Sequence, residues 1–352
     1  MLFLLVGALS SCTRHTELDK TAIAEAVGID KDGSGYTVTV QYFNMDKSGG
    51  AAIVDETEPN VITVSGSGAS VESALDAVSF ICGKRISVGN TGVIVIGRDA
   101  LYGDLGEILS FMSDDPVGNQ RSMVTAAENR ASDIMEIKFS EGNSSVDKLK
   151  GIINNAERLG ICPVLRLYEL NEKLCQPTHS AALPLLGARE DMGDMTNDKK
   201  SAVICGGMLY SEGKEPSYLS VEEMSGVTLL SAKRNIESVT FTENGRASGA
   251  ELFGLRCGIK PKFAEGKLIL DINISAYCGM TDSGDDTRQK CSALLASRVS
   301  GALEASAAKG CDICDLKYGI LRDPSIWRMI EEDYPAYLSD MTVNVSCELT
   351  ER

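Results

Sequence analysis

The sequence predicts a mixed α+β protein of two to three lobes, built from largely antiparallel sheets and packed helices. Period-two strands and amphipathic helical stripes alternate along it, its 352 residues are too many for one small core, and no internal repeat divides them. In chain order, Tyr36, Val38, Val40 and Tyr42 alternate with Thr37, Thr39 and Gln41, the period of a half-buried strand. Asp30-Lys31-Asp32-Gly33-Ser34-Gly35 supplies a turn before it, so residues 26–29 are its expected hairpin partner. Residues 48–60, rich in Gly, Ala and acids, read as a mobile loop before a short strand at 61–64. Ser65-Gly66-Ser67-Gly68 reads as a turn into a helix from about 70 to 81. The continuous apolar run at 92–97 (GVIVIG) predicts a strand covered on both faces. Helical patterns follow at about 100–113, 130–138 and 144–160, with a strand near 121–127.

The polar stretch at 191–201 (DMGDMTNDKKS) has few apolar anchors and is the expected boundary between units of residues 12–195 and 196–352. Past it come a strand near 202–210, a helix or turn at 221–230, and two strands flanking Ala264-Glu265-Gly266. Leu295, Val299, Ala302 and Leu303 form one stripe of a helix at about 286–309, stopped by Lys309-Gly310. Asp323-Pro324 opens a further helix at about 323–338, with Asp as cap and Pro in the first turn. Val343, Val345, Cys347 and Leu349 alternate in a closing strand.

Charge and composition narrow the function. Asp plus Glu total 50 against 34 Lys plus Arg, a net charge of −16 spread evenly over both halves. A nucleic-acid binder needs a basic footprint, so that class is set aside. Two histidines, His15 and His179, leave little material for histidine metal sites or triads.

The N-terminus predicts the compartment. Residues 1–9 (MLFLLVGAL) are too short to stay in a bilayer as a helix and match the core of a signal peptide. No Lys or Arg precedes this core, so residues 1–11 read as a signal peptide whose start lies upstream of Met1. Leu9-Ser10-Ser11-Cys12 follows the pattern of a bacterial lipobox, in which Cys12 is acylated and becomes the mature N-terminus. A plain signal peptide with a chance cysteine is the competing reading. Two or more acyl chains hold a protein at a membrane where one binds weakly.

Ten other cysteines remain, and their spread does not suggest a small stapled scaffold. Cys311-Asp312-Ile313-Cys314 is a lone CxxC without the second pair that zinc would need, so buried or incidental thiols are expected. The Ser65–Gly68 turn lacks the Lys of a phosphate loop. Glu222-Glu223 and Glu331-Glu332-Asp333 read as solvated faces, and residues 282–286 (DSGDD) as a capped helix entry lacking calcium-loop spacing. His179 has no evident nucleophile partner. No catalytic residue, cofactor or metal ligand is assigned.

The order of loose motifs resembles the Ger(x)C family, the lipoprotein C subunits of spore germinant receptors. The likeness starts at Cys12 and runs through residues 23–44 (IAEAVGIDKDGSGYTVTVQYFN), 61–78 and 93–101 (VIVIGRDAL), then Asp114-Asp115-Pro116. In the second half, residues 202–230 carry Leu219-Ser220-Val221-Glu222-Glu223 and Gly226, and Cys311-Asp312-Ile313, Pro324 and Trp327 follow in order. The chain departs from the family at Gly89-Asn90-Thr91-Gly92, where a His is frequent, and at its C-terminus, Leu349-Thr350-Glu351-Arg352. The resemblance implies a non-enzymatic, several-domain protein tethered on the outer face of the inner spore membrane. Its implied partners are two integral membrane receptor subunits, one thought to sense nutrients. The alternatives are an anchored solute-binding lipoprotein, which would need a cleft between lobes, and a two-carboxylate cell-wall hydrolase. The single tryptophan, Trp327, weakens the hydrolase reading.

Overall fold

The computed structural model describes residues 20–43, 61–102, 105–114, 118–138, 145–190, 200–231, 236–243, 246–280 and 285–351. The leader, Cys12, His15, the loop at 48–60, and most of the stretches at 191–201 and 282–286 lie outside the described residues.

β1 (Thr21–Asp32) and β2 (Gly35–Phe43) form the expected hairpin, and β3 (Val61–Gly68) adds antiparallel to β2. The turn uses Gly33 at a φ of 60°, which only glycine adopts without strain. The short β4 (Arg85–Ser87) lies parallel to the first residues of β1. From β1 the sheet continues in parallel through β5 (Val93–Ile96), β6 (Met123–Ala127) and β7 (Ser180–Glu190). It closes antiparallel with β8 (Lys200–Ser211) and β9 (Ser217–Leu219), giving the order β3-β2-β1-β5-β6-β7-β8-β9.

Between these strands run α1 (Val71–Cys82), α2 (Arg98–Tyr102), α3 (Leu105–Asp114), α4 (Ala131–Met135), α5 (Ser145–Arg158) and α6 (Leu167–Leu174). α1, α2, α3 and α6 share one apolar core with the sheet, while α4 and α5 build another. All four residues of β5 are fully buried, as the uninterrupted apolar run predicts. Thr39 and Gln41 are buried too, so β2 is covered more completely than its alternation suggests.

Ser65–Gly68 is strand, not the expected turn, and its residues pair with those from Tyr36 to Thr39 of β2. A Cβ at Gly66 would stand 2.6 Å from the Val78 amide nitrogen, and one at Gly68 2.5 Å from that of Ala74. These glycines therefore admit α1 onto the sheet. The helix starts at a capping box, in which the Ser70 and Ser73 hydroxyls each accept from the other's backbone N–H.

Residues 191–199 join β7 to β8, which are neighbours in this first sheet. The sheet thus takes strands from both sides of the polar stretch. The chain crosses to a second sheet only after α7 (Val221–Ser231).

That second sheet orders β10 (Ile236–Glu243), β11 (Arg246–Ala264), β12 (Lys267–Met280) and β13 (Thr342–Glu351), antiparallel except for the β12–β13 pair. α8 (Asp285–Ala307) buries Leu295, Val299, Ala302 and Leu303, the predicted stripe. At Gly226 of α7 a Cβ would overlap the Arg298 carbonyl of α8, so the two helices meet backbone to backbone. α9 (Leu316–Ile320) and α10 (Pro324–Ile330) follow. The long helix expected at 323–338 is broken by a 3₁₀ turn at Glu331–Asp333 before α11 (Tyr334–Ser339). Pro335 has no N–H to continue the ladder and crowds the carbonyl four residues back, which forces the restart. Ala182, Leu209 and Leu219 of the first sheet pack into one core with Leu252, Leu270, Ile272 and α8, so the two sheets share a seam.

Candidate functional site

Two regions concentrate polar side chains. The first is a crevice of about 440 Å³ where β1, β5 and β6 end, bounded by Asp30, Lys31, Arg98, Asp99, Asn129 and Arg130. The carboxyl ends of parallel strands are where open α/β sheets bind ligands. Asp30 is buried, and its Oδ1 and Oδ2 accept from the backbone N–H groups of Ala131 and Ser132 at 2.6 and 3.0 Å. It therefore fixes the start of α4, and Gly97 leaves room for it because a Cβ there would overlap Oδ1. Arg130 donates from both terminal nitrogens to Asp32, at 2.6 and 3.1 Å, in a fork-to-fork pair. That pair, followed by a hydrogen bond from the Thr37 hydroxyl, holds the Asp32 carboxyl below its ordinary 3.8. Asp30 and Asp32 are thus both engaged. The chemistry on offer is recognition of charge, with arginines at the rim.

The second region lies at the seam. Asp312 is buried between Cys311 and Ile313 of the shared core, its Oδ1 accepting from the N–H groups of Cys314 and Leu316 at 3.2 and 3.1 Å. Its Oδ2 accepts from the Tyr334 hydroxyl at 2.9 Å, and Tyr334 stacks edge-on against Trp327. Its own N–H donates to Ser180 Oγ, the first residue of β7. One residue thus joins the first sheet, through its backbone, to α11, through its carboxylate. Burial pushes the Asp312 carboxyl up from its ordinary 3.8 and the Tyr334 hydroxyl up as well. Around it, Lys173 of α6 pairs with Asp315 at 2.7 Å, and the Tyr318 hydroxyl donates to Glu172 at 2.8 Å.

The residues weighed from sequence fall into structural places. Cys12 lies outside the described residues. Cys311 and Cys314 are unbridged, and burial raises both thiols, which disfavours the reactive thiolate. Glu223 closes a capping box with Ser220 at the start of α7. Asp333 accepts from Ala336 N–H to cap α11. His179 is exposed at a φ of 42°, with Nδ1 2.6 Å from the Leu174 carbonyl and 3.5 Å from Glu212. Among the described residues no three His, Cys, Asp or Glu side chains converge as a metal set. Sequence reasoning missed Asp30, which reads as a plain turn residue. The signal for Asp312 was a carboxylate set between Cys311 and Ile313.

Comparison with known proteins then places most of the chain. Residues 14–188 match the family model for the spore germination protein N-terminal domain, and residues 206–351 the model for the spore germination B3/GerAC-like C-terminal domain. The fold is similar to the crystal structure of the GerBC protein, with a TM-score of 0.59 at 15% identity over 92% of this chain and 96% of that one. No curated protein matches.

Proposed function

The chain belongs to the Ger(x)C family of spore germination proteins, and from that premise we propose that it is a lipid-anchored, non-enzymatic subunit of a germinant receptor. In this reading Cys12 carries the acyl anchor, the ectodomain stands on the outer face of the inner spore membrane, and two integral membrane subunits are its partners in nutrient-triggered germination. The ordered match of both halves to the spore germination models carries the proposal. Two further observations support it. No helix among the described residues is long and apolar enough to cross a membrane, so a tether near Cys12 would supply attachment. In the crevice Asp30 is bound to a helix start, and Arg130 is forked to the neighbouring Asp32, which suits recognition better than turnover.

We further propose that the chain consists of two sequence modules meeting near residue 195, the second lending β8 and β9 to the sheet of the first. Fractionating cells that carry wild type or Cys12→Ala tests the anchor. Wild type should stay with membrane and show an acyl mass on Cys12, whereas the variant should move to the soluble fraction. A wild-type chain with an unmodified Cys12 would overturn the anchor.

A further inference from the structure

One end of the first sheet gathers exposed apolar side chains beside the point where the described chain begins. α1 runs antiparallel over β3: Ser73 and Ala74 face Gly68, while Ala77 and Val78 face Gly66 further back along the strand. Its last turn therefore lies at the beginning of β3. There Val61 and Ile62 pair with Phe43 and Tyr42, and Tyr42 pairs with Ala24 near the start of β1. β4 fixes the same end, pairing Arg85 with Thr21 and Ile86 with Ala22, and the Ile86 N–H donates to Ser79 of α1.

At this end Phe80 is 90% exposed, Ile81 62% and Phe43 38%. Phe80 and Ile81 are adjacent and both largely in water, and contiguous exposed apolar surface is what interaction sites present. Lys20, Lys84 and Arg85 stand in the same neighbourhood, a cationic group on a chain whose net charge is −16. Apolar residues with cations at the same end suit the headgroup zone of an anionic bilayer, where the rings enter the interface and the cations meet phosphate.

We propose that this end, with Phe80 and Ile81 at its tip, rests in the bilayer surface and orients the ectodomain. The occupant follows from chain length. Eight positions separate Cys12 from Lys20, and at about 3.6 Å per residue they reach at most roughly 29 Å. A lipid on Cys12 therefore keeps the start of β1, and with it Phe80 and Ile81, close to the membrane. The crevice at Asp30 and Arg130 lies at the far end of β1, turned to the medium. The orientation rests on the Cys12 anchor proposed above.

Full-length chain carrying Phe80→Trp, purified in detergent and reconstituted into vesicles of anionic and zwitterionic lipids, tests this with bromine-labelled acyl chains as quencher. Tyr277→Trp, at an exposed site on β12, is the control, and native Trp327 supplies the background. Emission at position 80 should be quenched several-fold more than at position 277, and the difference should shrink in Ile81→Ser. Equal quenching at both positions would overturn the membrane face. Absent quenching with photocrosslinking from position 80 to an integral membrane protein would likewise overturn it, in favour of a protein partner. The mass of Cys12 on the same sample separates the two proposals. An acylated Cys12 without quenching keeps the anchor and discards the face, and quenching with a bare Cys12 does the reverse.

Discussion

Asp32 and Asp312 mark two kinds of polar site in one molecule. Asp32 sits beside the crevice, half in water, with the fork of the crevice residue Arg130 to hold its charge. Asp312 is sealed at the seam, held by two backbone N–H groups and a tyrosine hydroxyl. The first is held below its ordinary 3.8 and the second is pushed above it. A charge kept in solvent with its counterion costs little and can be exchanged for a ligand. A carboxylate sealed without a cation locks two elements together and is expensive to disturb.

The largest effect that could break this contrast is Asp312→Ala. It strands the Tyr334 hydroxyl and two N–H groups in the seam, and should cost about 3–5 kcal/mol in a urea unfolding series. A loss under about 1 kcal/mol would mean that the seam does not depend on that carboxylate. Gly226→Ala should follow at about 2–3 kcal/mol, because its Cβ overlaps a backbone carbonyl that cannot swing aside. Asp312→Asn sharpens the comparison at about 1 kcal/mol through pH. A carboxyl raised on folding holds its proton longer than in the unfolded chain. Its contribution is complete below 3.8 and fades as pH rises through the folded value. Wild type should therefore gain on Asp312→Asn as unfolding is followed from neutral pH towards 4.

Arg130→Ala should be the smallest change, under about 1 kcal/mol, since both partners are nearly half exposed. Its pH sign is opposite. The pair contributes above 3.8 and is lost as pH falls through the depressed value of Asp32, so the variant and wild type should converge in acid. Divergence instead would show that the rim charge is not set by Arg130.

The same contrast explains what was legible beforehand. In the second sheet one face meets α8 and the other meets water, so β13 alternates in exposure and its apolar positions stood out in sequence. The apolar run of β5 was also plain, because both of its faces are buried. β7 was not read as a strand, since Pro184 and Gly187 interrupt it. Proline is tolerated there because β7 reaches β6 only through Leu185 and Leu186. Ser65–Gly68 looked like a turn because glycine signals both freedom and close approach, and only the helix laid across it distinguishes the two. Asp312 could be located through resemblance, yet its partners Ser180 and Tyr334 lie 132 and 22 positions away, beyond any local pattern.

Receptor membership is tested most directly by recovering tagged full-length chain from detergent-solubilised spore membranes and identifying what comes with it. Two multi-span membrane proteins should co-purify with wild type and be lost with Cys12→Ala, which would itself leave the membrane. Recovery of the acylated chain alone would contradict the subunit reading and favour an anchored lipoprotein that binds its own solute.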